Sequence, residues 1–486
     1  MLRTRSSSMW SLPASADECV TGSGEAREPY QEILAEVLDS PERLYEMQRG
    51  AQSWFASRHI TFGVPGEETD ADPADEAAPI FPFDPIPRIL SAMEWGHLER
   101  ALAQRATALD IFVADCYGAQ RALRDGVVPA RLVYSSVGYL RDLVGARPPR
   151  SDYCHVAGID VVRIGGEFGV LEDNVRVPSG IAYALMSREA TLAIAPGWLT
   201  TNPVRSIDGY ASRLRRMLQR IAPRQWDASL VVLTPGRFNA AYYEHQLLAE
   251  AIGGTLVEGQ DLIVQEDEVW RQTTSGGLEL VDVIYSRVNA EWLDPLVFRP
   301  DSLLGIPGLV EAWRRGSVAL ANAPGTGVAD DKAVYPYVPA MIRYYLGETP
   351  LLDNVPTYDV SDDRQRRHVV ANLEKMVLKP VDASGGYGIL FGDELSAEES
   401  EETARRLEAE PRAWLAQEKV QLSRAVCVST GGGLEARCVD LRPFVLLDEQ
   451  PWVVPGGLTR VAADPDTLIV NSSQGGGSKD TWVLSA

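Results

Sequence analysis

The chain has 486 residues, 45% hydrophobic and 23% charged, enough for roughly two to four domains with sizeable cores and too apolar for an extended disordered polymer. Its formal charge of −22 excludes a broad nucleic-acid footprint or docking on an anionic membrane, because both require clustered Lys and Arg. Five cysteines (Cys19, Cys116, Cys154, Cys427, Cys438) form no C-x-x-C pair and are odd in number, which argues against a zinc knuckle or a disulfide framework and for a reduced cytoplasmic setting.

In chain order, residues 1–28 are rich in Ser, Ala, Gly and Glu without periodicity and read as a disordered tail. Residues 29–150 read as a helical region. Ile33, Leu34, Val37 and Leu38 mark one helix, and Ser40-Pro41 restarts a second with serine as N-cap. Six acidic residues between Glu67 and Glu76 form a charged connector. The prolines of Phe81 to Pro87 impose an extended backbone, and Ser91-Ala92-Met93-Glu94 is a capping box that opens a helix through Leu98, Leu102 and Leu109, breaking before Arg121.

The stretch 151–228 carries the clearest chemistry. His155 to Arg163 reads as one arm of a hairpin, Gly165-Gly166 as its turn, and Gly169 to Asn174 as the second arm. A pleated strand sends Glu172 and Asn174 to one face, where Asp160 of the first arm converges with them. Two carboxylates and an amide oxygen are hard ligands suited to Mg²⁺, although Glu172 and Asn174 would equally suit the solvent face of an ordinary hairpin. Helices follow after Pro178-Ser179-Gly180 and over Ser206 to Arg220. Between 229 and 300, strand, helix and strand alternate as an inserted parallel α/β layer, with no G-x-G-x-x-G after its first strand.

The last part, 301–486, has two lysines set beside glycine turns. Lys332 ends the glycine turn Ala323-Pro324-Gly325-Thr326-Gly327-Val328-Ala329-Asp330-Asp331-Lys332, and Lys379 ends a short apolar strand before Ser384-Gly385-Gly386-Tyr387-Gly388. Glycines there permit the backbone to approach phosphate oxygens, while a plain hairpin fits the same residues. Neither a P-loop G-x-x-x-x-G-K-[ST] nor a kinase H-R-D with D-F-G occurs.

Taken together, Glu172-Asp173-Asn174, Asn322 to Gly327, Lys379-Pro380 with Gly385 to Gly388, Asp440-Leu441-Arg442-Pro443-Phe444 and Asn471 to Asp480 resemble the circularly permuted ATP-grasp proteins of type 2, relatives of the ligase half of glutathionylspermidine synthase. The resemblance runs from about Phe81 to Leu484, and the metal-binding strand precedes the lysines, as in the permuted order. It implies an α/β (α+β) fold, a permuted ATP-grasp core binding ATP and Mg²⁺. By the same likeness Asp160, Glu172 and Asn174 would hold the metal. Lys332 and Lys379 would contact phosphates, Gly385, Gly386, Tyr387 and Gly388 would form a lid, and Gln417 and Glu418 would meet adenine. Arg176, Arg287, Arg442 and Arg460 are candidates to clamp substrate carboxylates, with structural ion pairing as the alternative. The Tyr-Gly-Asp-Glu-Glu-Gly pattern of the family is degraded around Thr61 to Glu67. The implied activity is ATP-dependent carboxylate–amine ligation through an acylphosphate, on small-molecule or peptide substrates. An ATP-binding regulator without ligation and a phosphotransferase are the alternatives. The family's gene clusters also suggest an alpha-helical partner protein and a transglutaminase-like protease, with neither nucleic acid nor membrane as partner.

Overall fold

The computed structural model describes residues 12–485 except 14, 64–78, 147, 149–151, 225–226, 382–387, 430–432 and 471–475. The acidic connector and Gly385, Gly386 and Tyr387 therefore lie outside the described residues. Helices α1 (Gln31–Asp39) and α2 (Pro41–Ser57) meet at Ser40, with proline opening α2, although the Ser40 side chain caps nothing. Strand β1 (Phe83–Leu90) follows the proline-rich stretch, and α3 (Ala92–Tyr117) begins with the capping box complete: Ser91 accepts from the Glu94 amide while Glu94 accepts from the Ser91 amide. Helix α3 ends before Gln120, which takes a left-handed φ of 55° and lets the chain restart at Arg121.

The hairpin forms as β2 (Val156–Ile164) and β3 (Glu167–Asn174) around Gly165 and Gly166, both at positive φ. Asp160 pairs with Glu172, and the next pair is Val161 with Val170, so Leu171 is the extra residue of a β-bulge. Helix α4 (Ile181–Ile194) then covers the sheet. The inserted layer follows, with β4 (Leu230–Leu233), α5 (Tyr242–Ala251), β5 (Thr255–Val257) and β6 (Val283–Ser286). Strand β7 (Ala319–Ala321) joins them in a four-stranded sheet of order β7-β6-β4-β5, parallel throughout. One departure is an antiparallel meander over Leu262–Gln265, Glu268–Gln272 and Leu278–Val281. Its last strand is separated from β6 by Asp282, so the apolar run Leu280 to Tyr285 is two strands rather than one.

A third sheet has the order β8 (Thr357–Asp359), β11 (Trp414–Glu418), β9 (Met376–Pro380) and β10 (Leu390–Phe391), all antiparallel. The main sheet is ten-stranded. Its path runs β1, β17 (Gly477–Val483), β16 (Leu458–Val461), β13 (Leu434–Arg442), β2, β14 (Phe444–Leu446) and β15 (Trp452–Val453), with β12 (Arg424–Val428) paired to β13, β3 paired to β2 and the short strand Asp353–Asn354 paired to β3. Strand β2 is therefore central, and its apolar run Val156, Ala157, Ile159, Val161 and Val162 is buried throughout.

The expectation of a disordered tail over 1–28 does not hold for residues 16–28. Ala16, Cys19 and Val20 are buried in one cluster with Ile33, Leu34 and Val426. Glu18 meets Arg88, whose Nε donates to it at 2.8 Å, and Ser423, whose hydroxyl donates at 2.6 Å. Burial alone would raise this carboxyl, but the charge and hydrogen bonds of Arg88, with Arg163 and Ser423, together outweigh it and bring the group down to about 2. Small apolar residues separated by polar ones gave no periodic signal, and the partner that orders them lies 70 residues away.

Candidate functional site

The hairpin, the inserted layer and the third sheet enclose an open cleft of roughly 1090 Å³. Asp160, Glu172, Asn174, Arg176, Arg287, Lys332, Lys379, Arg442 and Arg460 all line it. Pleating accounts for the acidic strand: Glu172 and Asn174 face the cleft, while Asp173 between them turns to the opposite side, where Arg105 binds both its oxygens at 2.6 and 2.7 Å.

Lys332 Nζ lies 2.8 Å from Glu172. Burial works against its charge, yet Glu172 more than compensates and raises its pKa, while Lys332 holds the buried Glu172 below the usual carboxylate range. Lys379 differs. It donates to Gln417 Oε1 at 2.6 Å, and burial pushes its amine down to about 8, a shift that Glu172 only partly offsets. Gln417 is itself held on the other side, donating to Thr357 at 3.0 Å. Lys379 and Gln417 close the inner end of the cleft with Glu172 and Lys332.

Beside Glu172 on the neighbouring strand, Asp160 is bracketed. Arg442 reaches its two oxygens at 2.5 and 2.7 Å, and Arg460 Nη2 adds a contact at 2.7 Å while Nε binds Asp440 at 2.9 Å. Burial would raise Asp160, but Arg442 and Arg460 hold it down to about 2; Asp440 goes the other way, raised by burial with only Arg460 strongly opposing. Of the three expected metal ligands, Asp160 thus has both oxygens committed to arginines and Glu172 is paired with Lys332. Asn174 retains a buried Nδ2 with no partner among the described residues. Among the described residues no group of three His, Cys, Asp or Glu is disposed to hold a metal. A hard cation that takes one or two protein ligands and completes its shell with water and phosphate still fits the donor set of the Glu172 carboxylate and the Asn174 amide oxygen, two oxygen-bearing side chains that line the cleft from one strand.

The arginines divide. Arg176 is partly exposed and lies 3.5 Å from Asp330. Arg287 is wholly enclosed, donating to Ser179 Oγ at 2.6 Å and Glu244 at 3.0 Å. Glu418 does not line the cleft: adjacent strand residues point to opposite faces, and its carboxylate accepts from the Tyr358 hydroxyl at 2.6 Å. Gly388 has a φ of 73°, and a Cβ there would stand 3.0 Å from Pro380, so the end of the glycine run requires glycine.

Other residues of the constellation were missed in the sequence. Asn322 is a bracket: its amide accepts from the His155 and Val156 N–H groups and donates to the Val156 and Val175 carbonyls, tying β7 to both hairpin arms. Gly327 backs directly on Gly138, whose added Cβ would fall 2.3 Å from its carbonyl carbon. Asp331 binds Arg412 at 2.6 Å, connecting the Lys332 segment to the approach to β11. Glu244 accepts from the Gly180 and Ala182 amides at 2.7 and 3.1 Å, anchoring the start of α4 to the inserted layer. The Lys479 of the C-terminal motif is structural: buried, it pairs with Asp84 and donates to the Ile86 carbonyl at 2.9 Å.

With this geometry in place, comparison with known proteins is direct. A family model for circularly permuted ATP-grasp type 2 matches residues 87–462. An uncharacterized protein of Mycobacterium tuberculosis is 47% identical over 474 residues, covering 96% of this chain and 84% of its own. A Frankia alni protein named "Putative glutamate–cysteine ligase 2-3" is 42% identical over 478 residues, and the alignment covers 97% of this chain but 54% of that protein. Among solved structures, the apo form of a glutathione synthetase-like effector (GSS30) from Globodera pallida superposes with a TM-score of 0.58 at 13% identity, covering 91% of this chain and 98% of that one, a likeness of fold. The chain belongs to the circularly permuted ATP-grasp type 2 family and has its mixed α/β fold.

Proposed function

We propose that the protein is an ATP-dependent ligase that joins a carboxylate to an amine through an acylphosphate, releasing ADP and phosphate. The observation that carries this reading is the adjacency of two unlike charged clusters in one cleft: Lys332, Lys379, Glu172 and Asn174 in one, and the Arg442–Asp160–Arg460 bracket beside it, joined through the Asp160–Glu172 strand pair. Family membership and the ligase name of the Frankia relative support it.

Lys332 and Lys379 would hold the phosphates, and Gln417 the inner end of the nucleotide. Glu172 and Asn174 would hold Mg²⁺, which when bound neutralises phosphate charge during transfer. Arg442 and Arg460 then present fixed N–H groups toward a substrate carboxylate, preorganised because Asp160 and Asp440 hold them still. The carboxylate oxygen attacks the γ-phosphorus and ADP leaves. The nitrogen of the neutral amine next attacks the acyl carbon, phosphate departs with the electron pair of the broken C–O bond, and the proton lost by the nitrogen passes to the departing phosphate or to water. In this scheme Asp160 is a positioning residue for the arginines. Magnesium-dependent ADP release that requires an amine as well as an acid tests the reading. ADP release independent of amine would point to phosphotransfer, and nucleotide binding without turnover to a regulator.

A further inference from the structure

Five arginines among the described residues line the cleft, and four of them are fixed by oxygen acceptors of the protein. Arg442 is held by Asp160 and the Ser179 carbonyl, and Arg460 by Asp160 and Asp440. Arg287 is enclosed with Glu244 and Ser179, and Arg412 donates to Asp331, Ser135 Oγ and the Leu132 carbonyl. Arg176 is the fifth. Its side chain is 31% exposed, and its guanidinium makes no hydrogen bond among the described residues.

What holds Arg176 is its backbone. The alternation of β3 carries on one step past its end, so that Val175 is buried in the core while Glu172, Asn174 and Arg176 all face the cleft. Asp330 fixes this turn. One of its oxygens accepts from the Val175 amide at 2.7 Å and the Arg176 amide at 3.0 Å, and the other lies 3.5 Å from Arg176 Nε, beyond the ordinary range of an N–H···O bond. Burial raises the Asp330 carboxyl even with the Arg176 charge beside it, as loose pairing would. The stem passes Gly327, where an added Cβ would stand 3.5 Å from Arg176 Cδ. The root of this side chain is thus fixed, and its charged head is open to the cleft.

Place decides the ligand. The narrow inner end of the cleft, where Lys332 and Lys379 meet Glu172, is lined without Arg176, which belongs to the wider outer part together with Val137 and Gly138. Two residues of extended chain span about 6–7 Å, so Arg176 stands one such step outward from Asn174. Phosphates held by the two lysines would bring the attacking carboxylate beside Glu172 and Asn174, with the remainder of the acid beyond them, toward Arg176. An amine arriving as a cation would be repelled there. A second carboxylate on the acid would instead meet a guanidinium that can offer it two parallel N–H groups.

Resting on the ligase reading above, we propose that the acid substrate carries a second carboxylate a few bonds from the first, and that Arg176 binds the one that is not activated. The test is calorimetric titration of the full chain, with Mg²⁺ and a non-hydrolysable ATP analogue present. Succinate, glutarate and adipate are the probes, each compared with the monocarboxylate of equal carbon number: butyrate, pentanoate and hexanoate. At least one dicarboxylate should bind about tenfold or more tighter than its counterpart. In Arg176→Met that advantage should disappear and in Arg176→Lys partly return, with an unchanged melting temperature reporting an intact fold. Affinity for the ATP analogue, measured without acid, should stay within about twofold of the parent chain in Arg176→Met. Absence of any dicarboxylate preference in the parent chain overturns the proposal, and this comparison decides even where a variant fails to fold. A preference that survives Arg176→Met also overturns it, as does a loss of about tenfold or more in ATP-analogue affinity, which would put Arg176 on the phosphates. If the dicarboxylates bind as expected but never raise ADP release when an amine is supplied, the ligase reading falls while the Arg176 site stands. Amine-dependent ADP release that runs as well with the monocarboxylates keeps the ligase reading and removes the second carboxylate.

Discussion

Two neighbouring clusters of charge line the cleft, joined through the Asp160–Glu172 strand pair, and they are not alike. Around Asp160 every charge is matched: Arg442 and Arg460 saturate it, and Asp440 completes the set. Around Glu172 the matching is incomplete, since Lys379 has an amide oxygen rather than a carboxylate as its hydrogen-bond partner and Asn174 has a buried Nδ2 with no partner among the described residues. A saturated network costs little to keep folded and fixes geometry; an unsatisfied one carries a desolvation cost that an anionic ligand and a cation would relieve. The contrast separates the scaffold of the site from its vacant valences, and each can be attacked separately.

The largest effect should come from breaking the saturated side. Asp160→Ala leaves Arg442 and Arg460 side by side with one carboxylate fewer, and the loss of one member of a buried ionic set typically costs about 3–5 kcal/mol. Denaturant unfolding should register that loss. Asn174→Ala, by contrast, removes an amide whose Nδ2 has no partner, should change stability by less than about 1 kcal/mol, and should nevertheless abolish magnesium-dependent ATP turnover. Equal stability losses in the two variants would erase the distinction. Next in size, Lys379→Met should weaken an ATP analogue by about 1–3 kcal/mol, the value of a charge-assisted contact, because its present partner Gln417 is neutral. Unchanged nucleotide affinity would remove Lys379 from the phosphate site.

How much of this was legible beforehand follows from the range of each interaction. Period-two pleating made Glu172 and Asn174 co-facial from the sequence alone, and the same rule, applied to Gln417 and Glu418, would have sent them to opposite faces. The capping box of Ser91 and Glu94 was local and appears as read. What was not legible is non-local. Asp160 meets Arg442 and Arg460 across 282 and 300 residues, and no spacing rule distinguishes an aspartate that will bind a cation from one that will be enclosed by arginines. The N-terminal segment failed for the same reason, because Glu18 is ordered by Arg88 and Ser423 rather than by its neighbours. Asn322 entered only as the first residue of a resemblance motif, while its four hydrogen bonds go to the ends of two hairpin arms far behind it in the chain.

The smallest effect sharpens the comparison most, because it depends on one proton. Lys379, pushed down to about 8 by burial, is protonated in most molecules at pH 7 and in few at pH 9. A polyphosphate beside it favours the ammonium, so its pKa in the complex lies above 8, and binding above pH 8 must take up a proton. Affinity for a non-hydrolysable ATP analogue should therefore be level between pH 6.5 and about 7.5 once phosphate ionisation is allowed for, then fall by up to about tenfold per pH unit as pH rises past 8. Lys332 does not contribute to this slope, since Glu172 raises its pKa and keeps it charged throughout. In Lys379→Met the decline above pH 8 should vanish while the weaker overall affinity remains. A decline that persists in the variant assigns the proton to another group, and a flat profile in the parent chain means that Lys379 is already paired with an anion before nucleotide arrives.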